Sequence, residues 1–233
     1  RLSEALDGKY RMIATDQLGI GEPQARPEPG RLSHILQADL VAEILINQGG
    51  QKFDVVGHSY GGAAALRLYL QHPKLVRSLV LIEPIVNCLL HDAGDPLYSE
   101  SVSTANTFIA CARDGRHGDA RRAIIDNATG KGTWDKMDDD GQSRFLSQTA
   151  QTFEGFISNL NNPTTLDECR SIEVPTVVVC GADTNRSFTR MTELVRDTIP
   201  CATYEVLHGA GHMSPLTHAR DIAYIVNGHL ASI

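Results

Sequence analysis

The chain has 233 residues, 42% of them hydrophobic and 21% charged, with a formal net charge of −7. Those values fit one globular α/β domain with room for an inserted subdomain, and they give no electrostatic ground for nucleic acid or an anionic membrane as partner. No apolar run approaches the ~18 residues that span a bilayer, and Leu79, Val80, Leu81 and Ile82 are cut off by Glu83 and Pro84.

Taken in chain order, five apolar runs read as buried parallel strands: residues 10–15, 53–57, 78–83, 175–180 and 203–207. Between the first two, Leu32, Ile35, Leu36, Leu40, Val41, Ile44 and Leu45 recur at helical spacing. A small-residue helix follows Ser59 and ends near His72 and Pro73. Residues 190–198 form a polar-apolar helix stopped by Pro200, and residues 216–230 form a last one. Alternating strands and helices predict a mostly parallel sheet with helices on both faces. Residues 85–172 break the rhythm, with helical patterns at 105–112, 120–128 and 141–160. The expected organisation is an α/β core from 1–84 and 173–233, and a helical cap from 85–172.

Arg113, Arg116, Arg121 and Arg122 form the one local basic cluster, read as a solvated helix face. The cysteines (Cys88, Cys111, Cys169, Cys180 and Cys201) are odd in number and show no C-x-x-C spacing. This argues against a disulfide framework or thiolate metal site and makes a reducing, cytoplasmic compartment the default. Cys180 is expected to be a small buried hydrophobe. The first residue is Arg1 and no signal peptide is visible, so the chain is expected to begin inside a longer product.

The chemistry centres on one stretch. Phe53, Asp54, Val55 and Val56 lead into Gly57-His58-Ser59-Tyr60-Gly61, then Gly62-Ala63-Ala64-Ala65-Leu66. A short strand, G-x-S-x-G and a helix put a serine hydroxyl on a tight turn above the sheet edge. Glycines suit the cramped turn and the close approach of helix to strand. The Tyr60 N–H would face the reacting oxygen at a helix N-terminus, where partial positive charge favours an oxyanion. A serine that merely capped a core helix would leave the glycines unexplained.

A serine needs a base with a pKa near working pH, which points to histidine. His212 lies in Gly209-Ala210-Gly211-His212, after the last strand and before the final helix. His208 is the runner-up, and His58 is read as packing or lining the substrate side. The base in turn needs an acceptor for its other N–H. Asp183 follows a strand and a glycine turn and is favoured; Glu83, ending the preceding strand, is the competing acid.

Gly57-His58-Ser59-Tyr60-Gly61-Gly62, Gly181-Ala182-Asp183 and Gly211-His212 together resemble the α/β-hydrolase superfamily. Asp16-Gln17-Leu18-Gly19-Ile20-Gly21 looks like that family's D-x-x-G-x-G loop, although Glu22 and Pro23 follow where Ser or Thr is usual. The resemblance implies a Ser-Asp-His triad, no cofactor and no metal, and acyl transfer to water through a covalent ester. It also implies strands before residue 10, on the order of 40 residues, ending in a His-Gly loop that completes the oxyanion hole.

The expected activity is hydrolysis of an ester-like bond in a small, mostly neutral molecule. The same triad could serve carbon–carbon bond hydrolysis, lactone opening or thioester cleavage, and a non-catalytic small-ligand receptor is the reading from another class. Trp134, Met137, Phe153 and Phe156 are candidates for an apolar pocket wall, with the cap's own small core as their alternative place.

Overall fold

The computed structural model describes residues 1–18, 32–49 and 52–233. Four strands, β1 (Phe53–His58), β2 (Val76–Ile82), β3 (Thr176–Gly181) and β4 (Ala202–Leu207), form one sheet in the order β1-β2-β3-β4. All neighbours are parallel, with Val56 beside Val80, Leu81 beside Val178 and Val178 beside Tyr204. Among the described residues thirteen α-helices accompany them. Those outside the insertion are α1 (Leu2–Ala5), α2 (His34–Asn47), α3 (Tyr60–Gln71), α11 (Arg186–Thr198), α12 (Ser214–Thr217) and α13 (Ala219–Ala231).

Alternation along the inner strands splits the core into two layers. Leu79, Leu81 and Val178 face one cluster with Leu66 and Leu68 of α3 and Met191 and Val195 of α11. Val80, Ile82, Val177 and Val179 face the other, closed by Ile222, Ala223 and Val226 of α13 and by Leu6. Both sides being covered, β3 is buried along its whole length, while β4 alternates between half-buried and exposed.

The expected strand at 10–15 is not formed. An extended segment becomes a strand only when a neighbour satisfies its backbone groups, and no ladder reaches these residues. Tyr10 instead donates from its hydroxyl to Asn227 Oδ1 (2.9 Å), and Arg11 donates to Gln48 Oε1 (2.6 Å). Asp16, Gln17 and Leu18 of the D-x-x-G-x-G string are described; Gly19, Ile20 and Gly21, with Glu22 and Pro23, lie outside the described residues. Helix α2 begins where Ser33 Oγ accepts from the Leu36 N–H, and the expected final helix divides at His218 into α12 and α13.

Between β2 and β3 lie seven helices: α4 (Asn87–Asp92), α5 (Leu97–Arg113), α6 (His117–Thr129), α7 (Thr133–Lys136), α8 (Asp139–Ser147), α9 (Thr149–Leu160) and α10 (Leu166–Arg170). The flanking pair joins the main core through Leu89 and Leu90 of α4 and Cys169 of α10. A separate cluster of Phe108, Ile109, Cys111 and Ala120, with Phe153, Phe156 and Leu160 against it, holds α5, α6 and α9 together. Among the described residues no helix is long and apolar enough to cross a membrane.

One part of the basic cluster departs from expectation. Arg116 pairs with Asp114 and Asp119, and Arg122 with Asp119 and Asp135, at the surface. Arg121 is buried, with its guanidinium 5.8 Å from both the Phe108 and the Phe145 ring. Desolvation brings its pKa down to about 10. The apolar stem and planar head of arginine let it pack among rings, which a count of charges along the chain does not reveal.

Helix α3, which follows the elbow, is tied to α10 by Arg67. Its guanidinium donates to Glu168 Oε1 (3.0 Å), Glu168 Oε2 (2.9 Å) and Thr164 Oγ1 (2.8 Å). Glu168 also closes a capping box with Thr165. The Arg67 side chain is 7% exposed and that of Glu168 39%, so the pair is worth less than a fully buried one. Arg67→Ala is expected to cost about 2 kcal/mol and lower the melting temperature by roughly 4–8 °C in thermal denaturation, with little recovery in Arg67→Lys.

Candidate active site

The elbow is held by contacts that only this local sequence permits. Ser59 sits at φ 56°, ψ −120°, outside the regions that non-glycine residues favour. Its N–H donates to Ile82 O (3.0 Å), and its carbonyl accepts from Gly62 N (3.0 Å), Ala63 N (3.2 Å) and Ile85 N (3.1 Å). The strain is therefore over-determined by the surroundings. A Cβ on Gly57 would lie 2.4 Å from the Gly61 carbonyl oxygen, and one on Gly62 2.8 Å from Pro84 Cβ. Hence both flanking positions exclude any side chain.

Ser59 Oγ lies 3.0 Å from His212 Nε2. His212 Nδ1 lies 2.8 Å from Glu83 Oε2, with the histidine 6% and the glutamate 0% exposed. An ionised carboxylate only accepts, so the imidazole carries its proton on Nδ1 and turns the Nε2 lone pair to the serine hydroxyl. Glu83 follows β2 at φ 39°. Its N–H donates to Val179 O (3.0 Å), its Oε1 accepts from the Gly181 N–H (2.7 Å), and its Oε2 also accepts from Thr184 Oγ (2.8 Å). Phe188 walls the imidazole, its ring 4.3 Å away.

The structure brings Glu83, the competing acid of the sequence reading, to the imidazole and leaves the favoured Asp183 apart from it. Asp183 is exposed, and its backbone N–H donates to Ala210 O (2.9 Å). The space beside Gly181 is taken by the Ala210 carbonyl and by Glu83 Oε1, which leaves Asp183 on the outer side of the turn. There it lines a cavity of about 330 Å³ with Asn127, Ala128, Thr129, Gly130, Asn185 and Gly211. The signal that favours Glu83 was present in the sequence: it is the lone charge ending a strand with no polar residue from Leu79 to Ile82. A buried charge requires partners.

Tyr60 begins α3, so its N–H is among the first four of the helix and has no acceptor within it. Its phenol reaches across to the insertion, 3.1 Å from Ser158 Oγ, and its ring stacks on His34 at 4.3 Å. The His34 Nε2–H donates to Asn159 Oδ1 (3.0 Å). Ser158 and Asn159, both buried on α9, are thus the insertion residues tied to the elbow. Sequence reasoning missed them because they are polar, and it sought aromatic groups. The expected pocket-wall residues find neighbours within the insertion instead. Trp134 is buried with its backbone N–H donating to Asp126 Oδ1, Phe153 lies under Arg113, Phe156 lies 4.8 Å from Phe108, and Met137 sits against Gly141. His58 packs against His212, its ring 4.8 Å from that of His212.

A family model described as alpha/beta hydrolase fold matches residues 1–219. A 2-hydroxymuconate semialdehyde hydrolase of Pseudomonas putida is 26% identical over 95% of this chain and 77% of its own length. A meta-cleavage product hydrolase from Pseudomonas fluorescens (TM-score 0.70, 17% identity) shares the fold over 98% of this chain and 82% of that one. An esterase from Exiguobacterium antarcticum (TM-score 0.71, 17% identity) does so over 88% and 76%.

Buried His34 and half-buried His58 make stability depend on pH in a stated direction. Burial pushes His34 down to about 4, the Asn159 bond opposing and the Arg67 charge adding. Burial and the neighbouring His212 bring His58 to about 4 as well. An unfolded imidazole takes its proton near 6.5, so between that value and about 4 the unfolded state binds more protons. The stability present above pH 6.5 is therefore lost as pH falls, by on the order of 3 kcal/mol for fully buried His34. Thermal denaturation from pH 7.5 to 4.5 is expected to show this slope, and His34→Gln, which keeps a donor for Asn159, is expected to flatten it.

Proposed function

Since the chain belongs to the alpha/beta hydrolase fold family, we propose that it is a serine hydrolase acting on an ester-like bond of a small, mostly neutral substrate. In this reading Ser59 is the nucleophile, His212 the general base and acid, and Glu83 the acid partner of the base. The observation that carries it is the continuous chain Ser59 Oγ, His212 Nε2, His212 Nδ1, Glu83 Oε2, at 3.0 and 2.8 Å.

His212 takes the hydroxyl proton of Ser59 as that oxygen attacks the acyl carbon. The Tyr60 N–H donates to the oxyanion from the N-terminus of α3. Collapse of the tetrahedral intermediate expels the leaving group, which receives its proton from the imidazolium. Water, deprotonated by His212, then cleaves the acyl-enzyme and frees the acid. Glu83 keeps Nδ1 protonated and stabilises the positive ring throughout, without itself taking the proton. The insertion, with α5, α6 and α9 sharing their own apolar cluster, is assigned the role of cap. Five unpaired cysteines support a cytoplasmic setting.

A second reading keeps the residues and changes the bond. Carbon–carbon bond hydrolysis is favoured by the likeness to the 2-hydroxymuconate semialdehyde hydrolase along nearly the whole chain. A panel of acyl esters, lactones, thioesters and vinylogous diketones separates the two by kcat/KM.

Substitutions distinguish the roles. Ser59→Ala is expected to abolish labelling by a fluorophosphonate probe and to lower kcat by several orders of magnitude. Glu83→Gln keeps the shape but favours the wrong imidazole tautomer, and a fall of about 10²–10⁴ in kcat is expected. Full activity in Glu83→Gln, measured on the best substrate of the panel, would remove Glu83 from the mechanism.

A further inference from the structure

We propose that His58 is a positioning residue for the base, its ring anchoring the His212 loop through the His212 carbonyl. The inference rests on the serine-hydrolase reading above. His58 is the last residue of β1, paired with Ile82, and directly precedes Ser59. Its Nε2 lies 2.7 Å from the His212 carbonyl oxygen. A carbonyl can only accept, so the His58 ring carries its hydrogen on Nε2 and donates.

The loop is also tied at Ala210, whose carbonyl accepts from the Asp183 N–H (2.9 Å), and the His58 bond holds it at His212 itself. His212 lies between the end of β4 at Leu207 and the start of α12 at Ser214, in a stretch with Gly209 at φ 74° and a further glycine at 211. Its imidazole is held at Nδ1 by Glu83 and at Nε2 by Ser59. Those bonds orient the ring, but one of them is surrendered in each catalytic cycle. The His58 bond fixes the backbone instead, and it does so from the strand that carries the nucleophile. Nucleophile and base are thereby referred to one rigid element. Displacement of a reacting group by about 1 Å is enough to cost about a hundredfold in rate.

A neutral donor suits this place better than a charged one. Two rings 4.8 Å apart would repel if both were cationic, and His212 becomes cationic in the proposed cycle. Burial keeps His58 uncharged at neutral pH. Arginine or lysine would supply the hydrogen bond together with a permanent charge.

The test compares His58→Leu, which lacks a donor, with His58→Gln, whose side-chain amide can donate to the same carbonyl. Both are measured in the full chain by steady-state hydrolysis of a p-nitrophenyl ester. Proton NMR of the low-field His212 Nδ1 hydrogen, shared with Glu83, reads the ring position directly. His58→Leu is expected to lower kcat by about 10- to 100-fold with KM within about twofold, and to shift or broaden that resonance. His58→Gln is expected to restore kcat to within about threefold and to return the resonance. The inference is overturned if kcat in His58→Leu stays within about twofold of wild type with the resonance unmoved, or if KM alone rises, as for a substrate-lining residue. Should His58→Leu not fold, folded His58→Gln decides by the same two readouts. A wild-type chain inert to the fluorophosphonate probe would end the hydrolase reading instead, while the resonance comparison would still decide the anchoring role.

Discussion

A carboxylate with no exposed surface sits at the end of β2, and the arrangement of the site follows from what that group requires. A buried charge is tolerated only when its oxygens are hydrogen-bonded. Glu83 meets the requirement with the Gly181 N–H at the end of β3, the Thr184 hydroxyl just beyond it, and the His212 ring after β4. Ser59 straddles the same residue, with its N–H on Ile82 O and its carbonyl on Ile85 N. The carboxyl ends of all four strands are therefore gathered around one side chain, at the edge where open α/β sheets collect their ligands.

Holding that geometry demands backbone strain. Ser59 and Glu83 both lie at positive φ, a conformation costing about 1–3 kcal/mol for non-glycine residues. The strands beneath them supply the compensation. β2 and β3 are covered on both faces by apolar layers, so neither strained residue can relax without disturbing a packed core. The middle of the insertion meets this rigid edge through polar contacts, Tyr60 to Ser158 and His34 to Asn159, and has an apolar cluster of its own, while its flanking helices α4 and α10 share the main core.

Much of this was legible along the chain. Runs of β-branched residues between helical patterns mark β1 to β4, and the glycines around Ser59 mark the tight turn. The run at 10–15 had comparable composition and formed no strand, because pairing is a property of two segments and composition belongs to one. Arg121 was read with its basic neighbours as solvated, since proximity in the chain says nothing of which helix face meets Phe108. Trp134, Met137, Phe153 and Phe156 could be recognised as apolar, and only packing revealed that their neighbours lie within the insertion.

The choice of acid shows where the boundary runs. Asp183 and Glu83 are both carboxylates at the carboxyl end of a strand, and local sequence ranked first the one that the structure does not place against His212. By itself the sequence determined the parallel sheet, the serine turn and the histidine loop, because each depends on spacing and residue type within a short window. Only the tertiary structure decided which carboxylate meets the imidazole and which insertion residues touch the elbow. Those outcomes depend on the register of β2 against β3 and on the room left beside Gly181, distances between segments that lie far apart in the chain.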